Sequence, residues 1–368
     1  MAFRSFHAPF RNRVDSSAVW TGSELIVWGG WEWVRDGLEN LRANGLAYDP
    51  IDDSWREISR GPLSARCCAS STWLNSEMII WGGAEPPPQY QDAAAYDPSA
   101  NEWRTVAQSP LEWGGEMSTA TTDTEWWISQ RTREGQISVA AYDPLLDTWR
   151  SLPEVPGTGE GGVWMAWTGS EVVLTTGAEL YRIAPDATHW SQHSVQLHGP
   201  LHVAEGLVFG FTDEETWTGS GVTRYLRAWD PSTGAEVDLP RPPTDVWDAI
   251  AAGSHLMFLR ERLAFDAESL AWAMLDTPED VTRRRASAAT VWTGDRVLIW
   301  GGWWACPGYS EFYENGYELV PDLDVTAGGS DNHLARRAGV RQVEQQSHFA
   351  RQSSEEPRTD APLNLLAC

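Results

Sequence analysis

The sequence predicts an all-β chain, a closed ring of seven four-stranded antiparallel sheets of the β-propeller kind. Three observations carry that expectation. A Tyr-Asp-Pro turn with a Trp seven residues after the Tyr recurs along the chain. A short apolar run ending in Gly-Gly recurs ahead of it, and tryptophan is abundant, at 23 residues. A ring of sheets leaves wedge-shaped gaps that wide, flat side chains fill, and Trp buries the most area per residue.

In chain order, the turn motif is Tyr48-Asp49-Pro50 with Trp55, Tyr96-Asp97-Pro98 with Trp103, and Tyr142-Asp143-Pro144 with Trp149. Worn copies keep the spacing at Ile183 with Trp190 and Phe265 with Trp272. Trp229-Asp230-Pro231 keeps the turn but has Glu236 in the Trp position, and Leu319-Val320-Pro321 is the last and weakest copy. Intervals of 36 to 54 residues suit one four-stranded blade each. The preceding motif runs from Trp20-Thr21-Gly22-Ser23 into Leu25-Ile26-Val27-Trp28-Gly29-Gly30, and recurs from Trp73 to Gly83 and from Trp292 to Gly302. Blade four has Trp167-Thr168-Gly169-Ser170 and Val172-Val173-Leu174; blades three, five and six keep only apolar runs such as Leu207-Val208-Phe209 and Leu256-Met257-Phe258.

Each repeat reads as four short strands. The apolar run is too short for a helix and rich in β-branched residues, as a strand buried on both faces requires. In the outer turn Asp accepts backbone hydrogen bonds and Pro presets φ. Three residues after the Pro stand Asp53, Asn101, Asp147 and Gly234, types that tolerate a left-handed backbone. Thr188 and Leu270 occupy that place in blades four and six, so those turns are expected to differ. Paired glycines permit close backbone approach. The pattern resembles the Kelch-repeat β-propeller family over about residues 1–325, in four short apolar residues before Gly-Gly, a Tyr, and a Trp seven beyond it. The likeness is strongest in blades one, two and seven.

Phe3-Arg4-Ser5-Phe6 has the shape of the fourth strands that begin Trp55-Arg56, Trp103-Arg104 and Trp149-Arg150. No such strand follows Leu319, so the N-terminal strand is expected to close blade seven, with Phe3 paired in the region Tyr317 to Val320. Closure removes the exposed edges that an open ring would leave. Residues 326–368, rich in Arg, Gln and Ser, are expected to form a flexible or weakly docked tail outside the 1–325 ring, with one loose amphipathic helix from Leu334 to Arg351 as an alternative.

The formal charge is −25, and all 27 basic residues are Arg. That balance argues against nucleic-acid and anionic-membrane partners, which want a basic face. No run is long or apolar enough for a membrane helix. The first residues lack the apolar stretch of a signal peptide, which implies a cytoplasmic location, or secretion if a leader is missing from this chain. A monomer is expected. Cys67, Cys68, Cys306 and Cys368 match no zinc or disulfide spacing, and adjacent Cys67 and Cys68 should point to opposite sides of a strand.

Chemistry is expected in loops on one face, because strands are committed to packing. Three are long: Trp31 to Gly45, Thr212 to Thr223, and Trp303 to Gly316. Trp31, Trp33, Trp303, Trp304 and Tyr309, with Phe312 and Tyr313, fall in blades one and seven, which a ring makes neighbours. They could stack a sugar ring or hold a peptide, or simply pack the loops. Arg13, Arg66 and Arg285 precede the first strands of blades one, two and seven, with Trp247 and Asp248 in the matching place of blade six. Guanidinium forks converging on the channel would suit a carboxylate or other anion; the competing expectation is structural pairing. His189, His193, His198 and His202 are spaced too widely along extended chain to share a metal, and no metal or cofactor is expected. Among enzymes of the resembled family, the copper ligand set of galactose oxidase and the site of the sialic acid epimerases have no counterpart here. The favoured function is a non-catalytic module presenting loops to a protein, peptide or glycan. The alternative is a carbohydrate-active enzyme, oxidase- or epimerase-like, with its site at the channel mouth.

Overall fold

The computed structural model describes residues 2–321 except 9–10, 35–37, 85–88, 112–116, 158–161, 216–221, 278–284 and 307–308. Seven four-stranded antiparallel sheets are present. Blades one to six span residues 17–57, 70–105, 117–151, 164–193, 198–237 and 250–274, and blade seven combines 289–320 with 2–7. The first strand of each blade packs against that of the next, and that of blade seven against that of blade one, so the ring closes. The chain is a seven-bladed β-propeller. The expected tail at 326–368, with its alternative helix at Leu334 to Arg351, lies outside the described residues.

The second strands form the core. Leu25–Trp28 is buried throughout, and its alternating side chains serve two neighbours. Leu25 and Val27 pack with Leu298 and Trp300 of blade seven. Ile26 and Trp28 pack with Met78 and Ile80 of blade two. A strand that is apolar at every position is therefore what a sheet flanked on both faces demands.

Closure follows the expected pairing: Ala2–His7 runs antiparallel to Asn315–Val320, with Phe3 opposite Leu319. Phe6 is buried and stacks on Tyr48 of blade one at 4.2 Å. One strand thus ties blade seven to blade one through hydrogen bonds on one edge and an aromatic contact across the blade boundary.

The repeated residues knit each blade to the next. The Tyr48, Tyr96 and Tyr142 hydroxyls donate to Asp53, Asn101 and Asp147 at 2.9, 2.8 and 2.7 Å. Those acceptors sit at φ of 49°, 54° and 50°, the left-handed region that their residue types tolerate. Asn101 also accepts from the Ser59 N–H, and Asp147 from the Ala107 N–H, both in the segment leaving the preceding blade. The Trp indoles do the same in reverse: Trp103 donates to Ser59 O at 2.8 Å and Trp149 to Ala107 O at 2.7 Å. Arg4, Arg56 and Arg104 reach the Tyr hydroxyl of the following blade at 3.0–3.1 Å. Arg56 also forks onto Glu24, just ahead of the second strand of its own blade, and Arg104 onto Glu77 at the start of its own.

Three expectations need correction. Leu270 adopts φ 52°, and the Asp266 carboxylate accepts from Glu268 N and Ser269 Oγ. Blade six therefore keeps the common turn, accepting the cost of a left-handed leucine that packs against the neighbouring core. The expected long loops are largely strand: 31–45 and 303–316 each contain a two-stranded hairpin, Trp31–Val34 with Leu38–Leu41 and Trp303–Cys306 with Tyr309–Phe312, and in 212–223 the blade-five strands Leu207–Glu215 and Val222–Asp230 stay paired up to Glu215 and Val222. Cys67 and Cys68 do not lie on a strand, and a φ of 60° at Cys68 brings their sulfurs to the same side.

Candidate functional site

One face of the ring carries the connections between second and third strands together with the segments entering the first strands. Isolated bridges tie these segments together: Val14 to Trp31, Cys67 to Ala84, and Ala286 to Trp303. The Gly-Gly pairs make this possible. A Cβ on Gly29 would lie 2.8 Å from Arg66 O, and one on Gly30 would lie 2.7 Å from Val14 O. The Gly30 N–H donates to Arg66 O at 2.8 Å and the Gly302 N–H to Arg13 O at 2.9 Å, so each entering segment is hydrogen-bonded to the blade before it.

The three arginines occupy equivalent positions and make equivalent contacts. Arg13 donates to Gly29 O, Asn44 O and Asn44 Oδ1 at 3.1, 2.7 and 2.7 Å. Arg285 repeats this on Gly301 O, Asn315 O and Asn315 Oδ1 at 2.9, 2.9 and 2.6 Å. Arg66 takes Gly82 O and forks onto Asp92 at 2.6 and 3.1 Å. Each guanidinium points into its own blade, between the end of the second strand and the start of the third. Arg13 and Arg66 are 2% and 1% exposed, so these forks hold blade backbone rather than face the channel. Burial lowers the Arg13 pKa to about 10, with Glu32 opposing the shift and Arg42 adding to it.

What stacks on these arginines differs between blades. Arg66 lies over Tyr90 at 3.9 Å, and Arg285 over Tyr313 at 4.2 Å and Tyr317 at 4.8 Å. In blade one the place of Tyr90 and Tyr313 is taken by Arg42, which pairs with Glu32 of the hairpin at 2.5 Å.

The aromatic set divides. Trp303 stacks on Phe312 across the blade-seven hairpin at 6.1 Å and 16°. Trp31 and Trp304 are half-buried on their hairpins. Trp33 and Tyr309 belong to hairpin strands, but their side chains lie outside the described residues. Trp247 is 42% exposed and carries the Arg224 guanidinium at 4.9 Å, which is itself paired with Asp213 at 2.6 Å. Asp248 keeps solvent access, yet crowding by protein raises its carboxyl above the ordinary value, the Ala249 N–H partly opposing. No structural contact joins Trp247 or Asp248 to the three arginines among those described.

Beside the blade-seven hairpin lies a cleft of about 510 Å³ lined by His7, Arg285, Glu311, Phe312, Tyr313, Glu314, Asn315 and Tyr317. Ring faces and carboxylates share it, and the Tyr313 hydroxyl donates to Glu311 at 3.3 Å. Of its lining, Arg285 was singled out from sequence as a site residue and Phe312 and Tyr313 as part of the aromatic cluster. Glu311, Glu314, Asn315, Tyr317 and His7 were missed. For Asn315 the available signal was an Asn or Asp at the start of the third strand of every blade with such an Arg, as Asn44, Asp92 and Asn315. His7 reaches the cleft only through strand closure. A second groove, of about 510 Å³, lies between blades one and two around Trp103, Ser59 and Gly61, and is the blade joint itself.

The described residues contain no group of three or more His, Cys, Asp or Glu able to hold a metal. No described helix is long and apolar enough to cross a membrane. A comparison with protein-family models finds no match, and a comparison with curated proteins finds none.

Proposed function

We propose that the protein is a Kelch-type binding module that presents the hairpins of blades seven and one to a glycan, with a peptide or protein segment as the other partner of the same chemistry. The observation that supports this is the cleft beside the blade-seven hairpin, where Phe312, Tyr313 and Tyr317 meet Glu311 and Glu314. Aromatic faces cover the apolar faces of a sugar ring while carboxylates accept from its hydroxyls, and the volume falls within the range of roughly 300–1,000 Å³ usual for ligand sites. The arginines serve as supports: Arg285 holds Asn315 and the tyrosines in place, so it shapes the cleft from beneath.

A glycan array with the wild type, Tyr313→Ala and Glu311→Gln tests the reading. Retention by the wild type that falls at least tenfold in both variants, with unchanged folding, is expected. Equal retention by all three overturns it. A second reading, a carbohydrate-active enzyme at the channel mouth, rests on the raised carboxyl of Asp248 beside exposed Trp247. It predicts turnover of a sugar substrate that Asp248→Asn abolishes.

A further inference from the structure

The entering segments of blades one, two and seven have one backbone and three different contents. Asp15, Cys68 and Ser287 all take left-handed φ, at 52°, 60° and 54°, and they form a chain of hydrogen bonds around the axis: Asp15 N to Ser287 O, and Cys68 N to Asp15 O. The residues before them are Val14, Cys67 and Ala286. Neither place demands sulfur, since an Asp or Ser fills the first and a Val or Ala the second. Blade two nevertheless puts a thiol at both, and the left-handed turn brings the two sulfurs to face each other in contact.

We propose that Cys67 and Cys68 form a redox-active vicinal dithiol that closes reversibly to a disulfide by exchange with a low-molecular-weight disulfide. Cys68 is exposed and Cys67 is buried, so reagent meets Cys68 first. The Cys68 thiol lying against it draws the Cys67 thiol below its ordinary value, against the opposing effect of burial, and the Trp31 side chain assists. The neighbouring Cys67 sulfur, with burial, pushes Cys68 up. The pair therefore ionises as a unit holding one proton between two sulfurs.

The exchange balances as follows. The Cys68 proton passes to Cys67, and the Cys68 thiolate attacks one sulfur of the reagent, R–S–S–R. A mixed disulfide forms and one thiolate RS⁻ leaves. Cys67 then attacks the Cys68 sulfur, the bond between Cys68 and the reagent sulfur breaks, and the second RS leaves with the Cys67 proton as RSH. The protein has lost two electrons and the reagent has gained them. Adjacent Cα atoms stand about 3.8 Å apart, below the ~4.4–6.8 Å of unstrained disulfides, so the bridge stores strain and is readily reduced.

The test uses the full chain carrying Cys306→Ser and Cys368→Ser, incubated with glutathione disulfide and read by intact mass and peptide mapping. Loss of two hydrogens within the peptide holding both cysteines, restored by dithiothreitol, is expected. Adding Cys67→Ser should instead trap one glutathionyl group on Cys68, because nothing remains to displace it. Two thiols unchanged across a glutathione redox series, or a stable glutathionyl adduct with Cys67 present, would overturn the proposal.

Discussion

Asn101 shows how much one side chain of the repeat does. Its Oδ1 accepts from the Tyr96 hydroxyl and from the Ser59 N–H of the preceding blade, while its own backbone sits at φ 54°. Asn101→Ala leaves both donors without that acceptor and is expected to cost about 2–3 kcal/mol in urea or thermal unfolding. Asn101→Asp supplies what Asp53 and Asp147 supply in blades one and three, and should leave the midpoint close to the parent value. Equal losses in both variants would show that the side-chain oxygen is not the acceptor that matters. The Tyr, the Trp and the left-handed position were legible from their spacing, but the hydrogen bonds between them were not. The Tyr96–Asn101 bond closes within the outer turn, but those joining Asn101 and Trp103 to Ser59 cross 42 and 44 positions between blades, and only the ring brings their ends together.

At the scale of the element, the N-terminal strand does two jobs: it satisfies the edge of Asn315–Val320 and inserts Phe6 beside Tyr48. Phe6→Ala is expected to cost about 3–5 kcal/mol, the usual range for a buried aromatic. Deleting residues 2–7 should be worse in kind, because it exposes a strand edge between two blades. Concentration-dependent association by light scattering is the expected readout. The strand was readable because Phe3-Arg4 repeats the Trp-Arg opening of other fourth strands. The hairpins 31–41 and 303–312 were missed for a related reason. Their residues match no blade motif, and pairing across a turn leaves little local signal in four-residue strands.

For the molecule as a whole, acid sensitivity should come in two stages. Burial lowers His202 to about 4 and lowers His193. A folded-state value below the ordinary one near 6.5 means that the neutral ring stabilises the fold above about pH 6.5, and this is lost as pH falls through 4. The His202 contribution is on the order of 3 kcal/mol, and His202→Gln should flatten that limb of a stability-against-pH curve. Further down, hydrogen bonds from Ser99 depress Asp97, while Arg296 and Thr293 hold Asp295 near 2. Stability from these carboxylates is present above the ordinary value near 3.9 and is lost as they protonate toward pH 2. Unfolding that is flat from pH 7 to 2 would contradict both stages.

The sequence by itself determined the number of blades, the doubly buried second strands, the outer turns and the closing strand. These rest on interactions within one repeat or on a pattern copied from repeat to repeat. The tertiary structure alone decided where the arginines point, because whether Arg13, Arg66 and Arg285 meet the channel or their own Asn44, Asp92 and Asn315 depends on a few ångströms of backbone between the second and third strands. It likewise decided that His7 and Glu311 share a cleft and that two neighbouring sulfurs touch. Ring closure brings residues 2–7 beside 315–320, and a single left-handed φ reverses the alternation that an extended strand would impose.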